Sequence, residues 1–168
     1  AMSDSLAVIG QNLYVGINID TIGGKARGIA KWDGSEWSAL GNGLTGDSDG
    51  IVAVYALAVS GGDLYVGGRF LEAGGVEVHN IAKWEWTALG RGFPDEAVVD
   101  LVAADGALYV STHELGAQRS REWHLRENQS RWDLEEAGRL AKWDGDRWSE
   151  VDPGFDRAKR VFSINDDL

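Results

Sequence analysis

Gly28-Ile29-Ala30-Lys31-Trp32-Asp33-Gly34-Ser35-Glu36-Trp37-Ser38-Ala39-Leu40-Gly41 returns twice more along the chain. The later copies are Asn80-Ile81-Ala82-Lys83-Trp84-Glu85-Trp86-Thr87-Ala88-Leu89-Gly90 and Arg139-Leu140-Ala141-Lys142-Trp143-Asp144-Gly145-Asp146-Arg147-Trp148-Ser149-Glu150-Val151. Self-similarity on this scale marks a stack of one supersecondary unit, because a single copy cannot bury its own apolar faces. In the first copy two apolar stretches flank Asp33-Gly34-Ser35-Glu36, and an Asp-Gly pair is favoured where the backbone turns sharply. The reading is a β-hairpin with Trp32 facing Trp37, a cross-strand aromatic pair contributing about 0.2–1 kcal/mol. The third copy keeps the spacing at Trp143 and Trp148. In the second, Trp84 and Trp86 have one residue between them, a spacing that fits no two-stranded turn. The expectation there is a remodelled hairpin, or residues missing from the chain.

Upstream of each copy stands a second recurring pattern. Leu6-Ala7-Val8-Ile9 and Leu13-Tyr14-Val15-Gly16 recur as Tyr55-Ala56-Leu57-Ala58-Val59 with Leu64-Tyr65-Val66-Gly67-Gly68, and as Leu101-Val102-Ala103 with Leu108-Tyr109-Val110. The offset between the paired leucines is seven each time (6 to 13, 57 to 64, 101 to 108), which implies one turn geometry used three times. Because these strands are nearly apolar instead of alternating, they are expected to be buried on both faces, as in small sheets stacked face to face. Each repeat therefore supplies four strands, of the Leu-Ala-Val, Leu-Tyr-Val-Gly, Ile-Ala-Lys-Trp and Trp-Ser-Ala-Leu types.

Composition agrees. The 168 residues include 23 Gly, 2 Pro and 8 Trp, which points to tight turns between aromatic-rich strands, and no apolar run is long enough to span a membrane. The net charge of −11 disfavours nucleic-acid and anionic-membrane partners, whose phosphates require clustered Lys and Arg. The absence of cysteine excludes disulfides, thiolate metal sites and Cys nucleophiles without fixing a compartment. No signal-peptide pattern is visible, and Ala1-Met2-Ser3 reads as a protease-cleavage or cloning remnant, a reading compatible with a native targeting segment having been removed.

Four short antiparallel strands per repeat, with Tyr14, Tyr65 and Tyr109 spaced by 51 and 44 residues, fit the blade of a β-propeller. Leu64-Tyr65-Val66-Gly67-Gly68 followed by Ile81-Ala82-Lys83-Trp84 resembles the kelch-type propeller repeat, with its double glycine after the second strand and its later aromatic. The wording is similar to kelch-like repeats of exported bacterial proteins and of a fungal cell-polarity marker. That resemblance implies a propeller, favours an extracellular or cell-surface location, and assigns no single activity, since one fold hosts many. The double glycine is Gly16-Ile17 in the first repeat and Ser111-Thr112 in the third. Trp32-Asp33 and Trp143-Asp144 superficially match the dipeptide of WD40 blades, but here it enters a glycine turn with no Gly-His partner upstream.

The expected fold is thus all-β: three four-stranded antiparallel propeller blades over residues 6–56, 57–100 and 101–160, plus an extra C-terminal strand over 161–168 that begins a fourth repeat. Propellers typically have four to eight blades, so three form a partial propeller or half of an oligomeric ring. Either the chain is part of a longer parent, or it associates with copies of itself, two chains giving six blades. Val161-Phe162-Ser163-Ile164-Asn165-Asp166-Asp167-Leu168 repeats the offset of seven and fits truncation or a strand added to a neighbouring chain's sheet.

The third repeat carries an insertion. Tyr14 to Trp32 spans 18 residues and Tyr65 to Trp84 spans 19, but Tyr109 to Trp143 spans 34. Within residues 118–137, Glu122-Trp123-His124-Leu125-Arg126 and Arg131-Trp132-Asp133-Leu134-Glu135 both alternate, a strand signal. Paired across Glu127-Asn128-Gln129-Ser130, they place Trp123, Leu125, Trp132 and Leu134 on one face and His124 opposite Asp133 on the other. These six residues are the candidate contacts for a partner chain, a peptide or a sugar ring, since aromatics dominate interface hot spots; the bland alternative folds both tryptophans down onto the propeller edge. Asn128-Gln129-Ser130 is also a glycosylation sequon.

Catalytic signals are sparse. His124 with Asp133 has the form of a base with its orienting carboxylate, but exposed charge pairs are ordinarily solvated ion pairs, and no nucleophile completes it. His79 and His113 are expected in loops without metal-ligand spacing. Asp47-Ser48-Asp49-Gly50 opens like a calcium loop, but the twelfth position is Ala58. A galactose-oxidase-like site would need a cysteine, and sialidase-like Ser-x-Asp-x-Gly-x-x-Trp boxes are missing. The reading is a non-catalytic protein-interaction or structural scaffold module without cofactor or metal; the alternative is a carbohydrate-binding, lectin-like propeller. The structural repeat residues are Tyr14, Trp32, Trp37, Tyr65, Trp84, Trp86, Tyr109, Trp143 and Trp148.

Overall fold

The computed structural model describes residues 5–16, 27–46, 49–115 and 139–151, and these form strands and turns with no helix. Sheet 1 consists of β1 (Ser5–Ile9), β2 (Asn12–Gly16), β3 (Ile29–Trp32) and β4 (Trp37–Ala39). A short β5 (Leu44–Thr45) precedes sheet 2, whose strands are β6 (Ala53–Ser60), β7 (Asp63–Arg69), β10 (Ile81–Lys83) and β11 (Thr87–Ala88). Sheet 3 contains β12 (Glu96–Ala104), β13 (Ala107–Glu114), β14 (Leu140–Trp143) and β15 (Trp148–Glu150). All three are antiparallel with strand order following chain order, and none closes on itself.

The constant leucine offset becomes a constant register. Leu6 pairs with Val15 and Val8 with Leu13; Leu57 with Val66 and Val59 with Leu64; Leu101 with Val110 and Ala103 with Leu108. The turns closing the second and third of these hairpins are Gly61-Gly62 (φ 59° and 85°) and Asp105-Gly106 (φ 51° and 73°), both residues left-handed, as the right-handed strand twist favours.

The tryptophan hairpins form as their sequence dictates in sheets 1 and 3. Trp32 lies opposite Trp37 with ring centroids 5.4 Å apart, and Trp143 opposite Trp148 at 5.1 Å. The Asp33 carboxylate accepts the backbone N–H groups of Ser35 (2.8 Å) and Glu36 (2.9 Å), and Asp144 accepts those of Asp146 and Arg147 (both 2.9 Å). An aspartate at this position closes the turn through its own side chain.

In the second copy a two-stranded hairpin does form, contrary to the expectation from spacing. Lys83 pairs with Thr87, and the turn is closed by Trp84, Glu85 and Trp86, with Glu85 at φ 67° and Trp86 at φ 37°. Left-handed backbone costs an L-residue about 1–2 kcal/mol. The compensation is tertiary: the Trp86 indole N–H donates to the Leu40 carbonyl (3.2 Å), and the Trp84 ring meets it edge-on at 4.8 Å.

A fourth sheet of three strands, β5, β8 (Glu72–Ala73) and β9 (Val76–Glu77), lies outside the repeat pattern, with Gly74-Gly75 as its hairpin turn. Added at Gly74, a Cβ would collide with the Trp86 ring, so this turn and the remodelled tryptophan hairpin fit one another.

The sheets stack, β1 and β2 against β6, and β6 and β7 against β12. Tyr14, Ile29, Leu64, Val66 and Phe70 fill the layer between sheets 1 and 2, and Ile81, Val98, Leu101, Leu108 and Val110 that between sheets 2 and 3. Each fully buried aliphatic side chain stabilises by about 1.5–3 kcal/mol. Burial on both faces holds for sheet 2 but not for sheet 1, whose outer face leaves Leu6 61% and Val8 63% exposed. Residues 118–137 and 161–168, with the candidate contacts Trp123, His124, Leu125, Trp132, Asp133 and Leu134, lie outside the described residues, as do Asp47 and Ser48.

Candidate interaction surface

Both joints between sheets are built the same way. The last residue of β2, Gly16, lies under the Val54 side chain, and a Cβ there would overlap Val54 and Ser5. At the corresponding place in β7, a Cβ on Gly67 would stand 2.5 Å from Val98 Cγ1. The absent side chain is what lets a valine of the following sheet pack against backbone.

Toward the outer edge, the tryptophan pair of each following sheet covers a Leu-Gly turn of the preceding one. Leu40-Gly41-Asn42-Gly43-Leu44 and Leu89-Gly90-Arg91-Gly92-Phe93 are equivalent turns, in which Gly43 N–H donates to Leu40 (3.0 Å) and Gly92 N–H to Leu89 (3.2 Å). The Trp86 indole donates to the Leu40 carbonyl at 3.2 Å, and the Trp148 indole to the Leu89 carbonyl at 2.7 Å. Phe93 adds an edge-on contact with Trp148 at 4.8 Å.

The equivalent elements of sheet 1 are in place, yet no described sheet covers them. Leu6, Val8, Leu13 and Val15 share the face that Leu57, Val59, Leu64 and Val66 turn toward sheet 1. Trp37, the counterpart of Trp86 and Trp148, is 44% exposed. Among the described residues this aliphatic patch bordered by an indole is the candidate interaction surface, since large apolar patches and exposed aromatics are features of such surfaces.

Polar clusters are local. Glu96 is buried; one carboxylate oxygen accepts from the Thr112 hydroxyl, and the other from Arg139 Nε (2.8 Å) and an Arg139 terminal nitrogen (2.7 Å). The hydrogen bond to Glu96, and then its charge, hold the Arg139 guanidinium above its ordinary value. Thr112 occupies the place of Gly68, since each pairs with the valine of its first strand and donates its backbone N–H to the residue before the third strand. Arg139 likewise stands where sheet 2 has Asn80. Both carboxylate oxygens of Glu96 are thus occupied, as a buried carboxylate requires.

His79 holds Glu77 at 2.7 Å through Nε2 and donates from Nδ1 to the Arg91 carbonyl (3.1 Å). It lies in a turn as expected, whereas His113 is part of β13 instead of a loop. Among the described residues no group of three or more His, Asp or Glu is gathered to hold a metal ion, and no helix is long and apolar enough to cross a membrane.

The structural repeat residues fall where repetition demands: Tyr14, Tyr65 and Tyr109 in second strands, Trp32 and Trp143 closing third strands, Trp37 and Trp148 opening fourth strands, Trp84 and Trp86 in the remodelled turn. Sequence reasoning did not single out Leu6 and Val8 as exposed, or Glu96, Thr112 and Arg139 as a network. The available signal for the network was the replacement of Gly67-Gly68 by Ser111-Thr112 together with Arg139 before the third strand. No protein-family model matches this chain, and no curated protein does.

Proposed function

We propose that the chain is a non-catalytic protein-interaction or structural scaffold module built from kelch-like propeller blades. Three four-stranded sheets of one strand order and one register, stacked through the same glycine and tryptophan contacts, support the blade reading. The observation that carries the interaction role is the outer face of sheet 1, where Leu6, Val8 and Trp37 are exposed although their counterparts in the other sheets lie in joints. A partner that presents apolar backbone-rich surface and a carbonyl for the indole would satisfy that face.

The test is a protein array made from the source proteome, run beside a glycan array. A protein signal removed by Val8→Asp, with silent glycans, is the expected result. A glycan signal removed by Trp37→Ala, with no protein response, overturns the scaffold in favour of a lectin.

A further inference from the structure

Asp33, Asn42, Asp49, Asp105 and Asp144 each stand directly before a glycine. Such pairs share one spontaneous reaction. The glycine backbone nitrogen, unshielded by a side chain, attacks the preceding side-chain carbonyl carbon; water leaves from aspartate or ammonia from asparagine, and a succinimide ring closes. Water then opens the ring at either carbonyl, giving aspartate or isoaspartate, in which the main chain runs through the side-chain carbons. The reaction needs a side chain free to swing back and a glycine nitrogen free to meet it, so the fold decides which pair reacts.

Four of the pairs are held. The Asp33 carboxylate is committed forward to the N–H groups of Ser35 and Glu36, and the Asp144 carboxylate to those of Asp146 and Arg147. An ionised carboxylate so bonded is a poor target for a nucleophile. Asp49 is paired with Arg69 at 3.4 Å. Asn42, whose amide is the most reactive of the set in an open chain, is blocked at its glycine. Gly43 is buried with the Arg27 backbone against it; its N–H donates to the Leu40 carbonyl (3.0 Å), and its own carbonyl accepts from Gly74 N–H (2.8 Å).

Asp105-Gly106 has none of these restraints. It is the two-residue turn between β12 and β13, and both residues are exposed. Among the described residues the Asp105 carboxylate has no hydrogen bond or ion pair, the Gly106 N–H has no acceptor, and open space surrounds Gly106. Asp105 is also left-handed (φ 51°), so opening the turn relieves strain at the reacting residue.

We infer that Asp105 is a modification site of the folded chain, at which the turn between β12 and β13 converts to isoaspartate. The water lost on ring closure returns on ring opening, so no other reactant is needed and no mass is gained. The product adds one atom to the main chain of a two-residue turn whose length sets the Ala104–Ala107 pairing, and the hairpin tip must open to take it.

The test uses Asp105→Asn, a residue that suits the same turn and gives position 105 the dipeptide already present at Asn42. Deamidation raises the mass, so peptide mapping reads both positions in one aged sample whose near-ultraviolet circular dichroism shows the fold retained. Position 105 is expected to convert about tenfold faster than Asn42, the factor for one hydrogen bond that must first break, while in urea the two rates agree. In aged wild type, isoaspartyl methyltransferase with labelled S-adenosylmethionine is expected to mark Asp105 and to leave Asp33, Asp49 and Asp144 unmarked. Equal rates in the folded variant, faster conversion at Asn42, or a wild type marked at one of those three aspartates in place of Asp105 overturns the inference. So does a folded chain that stays unconverted at position 105 while the chain in urea reacts there.

Discussion

The joint between sheets 1 and 2 and the joint between sheets 2 and 3 share their contacts but not their supports. Both set a valine over a glycine, Val54 on Gly16 and Val98 on Gly67, and both hang an indole from a leucine carbonyl. Around the first joint the extra material is the small sheet of β5, β8 and β9, whose Gly74 turn touches Trp86. Around the second it is Asn80, whose amide accepts from Phe70 N–H (2.8 Å) and donates to the carbonyls of Phe93 (2.7 Å) and Glu96 (2.9 Å). The difference teaches that the repeated residues encode the stacking, while unrepeated residues secure the loops beside it.

The strongest way to break the comparison is Asn80→Ala. It removes three hydrogen bonds to backbone groups, of which the Phe93 carbonyl keeps the Glu96 N–H, and leaves alanine in a left-handed conformation at φ 72°, so a loss of about 4 kcal/mol is expected in urea unfolding. Sheet 1 has no counterpart to lose, since Gly28 stands at that position. Next comes Gly67→Ala, which forces a methyl toward Val98 and should cost about 2–3 kcal/mol. Added Val98→Ala should recover part of that loss, and strict additivity in the double-mutant cycle would refute the contact.

Smaller effects sharpen the contrast between the two kinds of tryptophan hairpin. Glu85→Gly relieves a left-handed position and should raise stability by about 1 kcal/mol, visible as a higher urea midpoint with unchanged slope. The smallest effect concerns acid. Backbone hydrogen bonds, first from Glu36 and then from Ser35, hold the Asp33 carboxyl below the usual carboxylate range, and those from Arg147 and Asp146 do the same for Asp144. A lowered folded-state value means a contribution present above about pH 4 and lost as pH falls through the folded value. Asp33→Asn and Asp144→Asn should therefore flatten a shallow acid slope below pH 4 in thermal unfolding, whereas the middle hairpin, which has no such aspartate, adds nothing to that slope.

Much of this was legible because it is local and repeated. The leucine offset fixed the three registers, and Asp33-Gly34 and Asp144-Gly145 announced their hairpins through turn chemistry that neighbouring residues alone decide. The hairpin at Trp84-Glu85-Trp86 was not legible, since its strained backbone is held by a carbonyl 46 residues away. Strands of two residues such as β8 and β9 carry no periodicity to read. Of the surface, the apolar character of Leu6 and Val8 was evident, but their exposure depends on which sheet lies opposite, and a pattern common to all three repeats predicts burial for all alike. The candidate contacts Trp123 and Trp132 lie outside the described residues.

The exchange of Gly68 for Thr112 bears on how such units diverge and can be recombined. A Cβ at residue 68 would strike the Ala53 carbonyl oxygen, while Thr112 is accommodated with its hydroxyl on Glu96 and its neighbour Arg139 on the same carboxylate. Transplanting the threonine alone into the middle unit would therefore fail, whereas a whole unit carries its three correlated residues with it. Lengthened arrays are best assembled by splicing complete four-stranded cassettes, cut at the Leu-Gly turns where one unit hands over to the next.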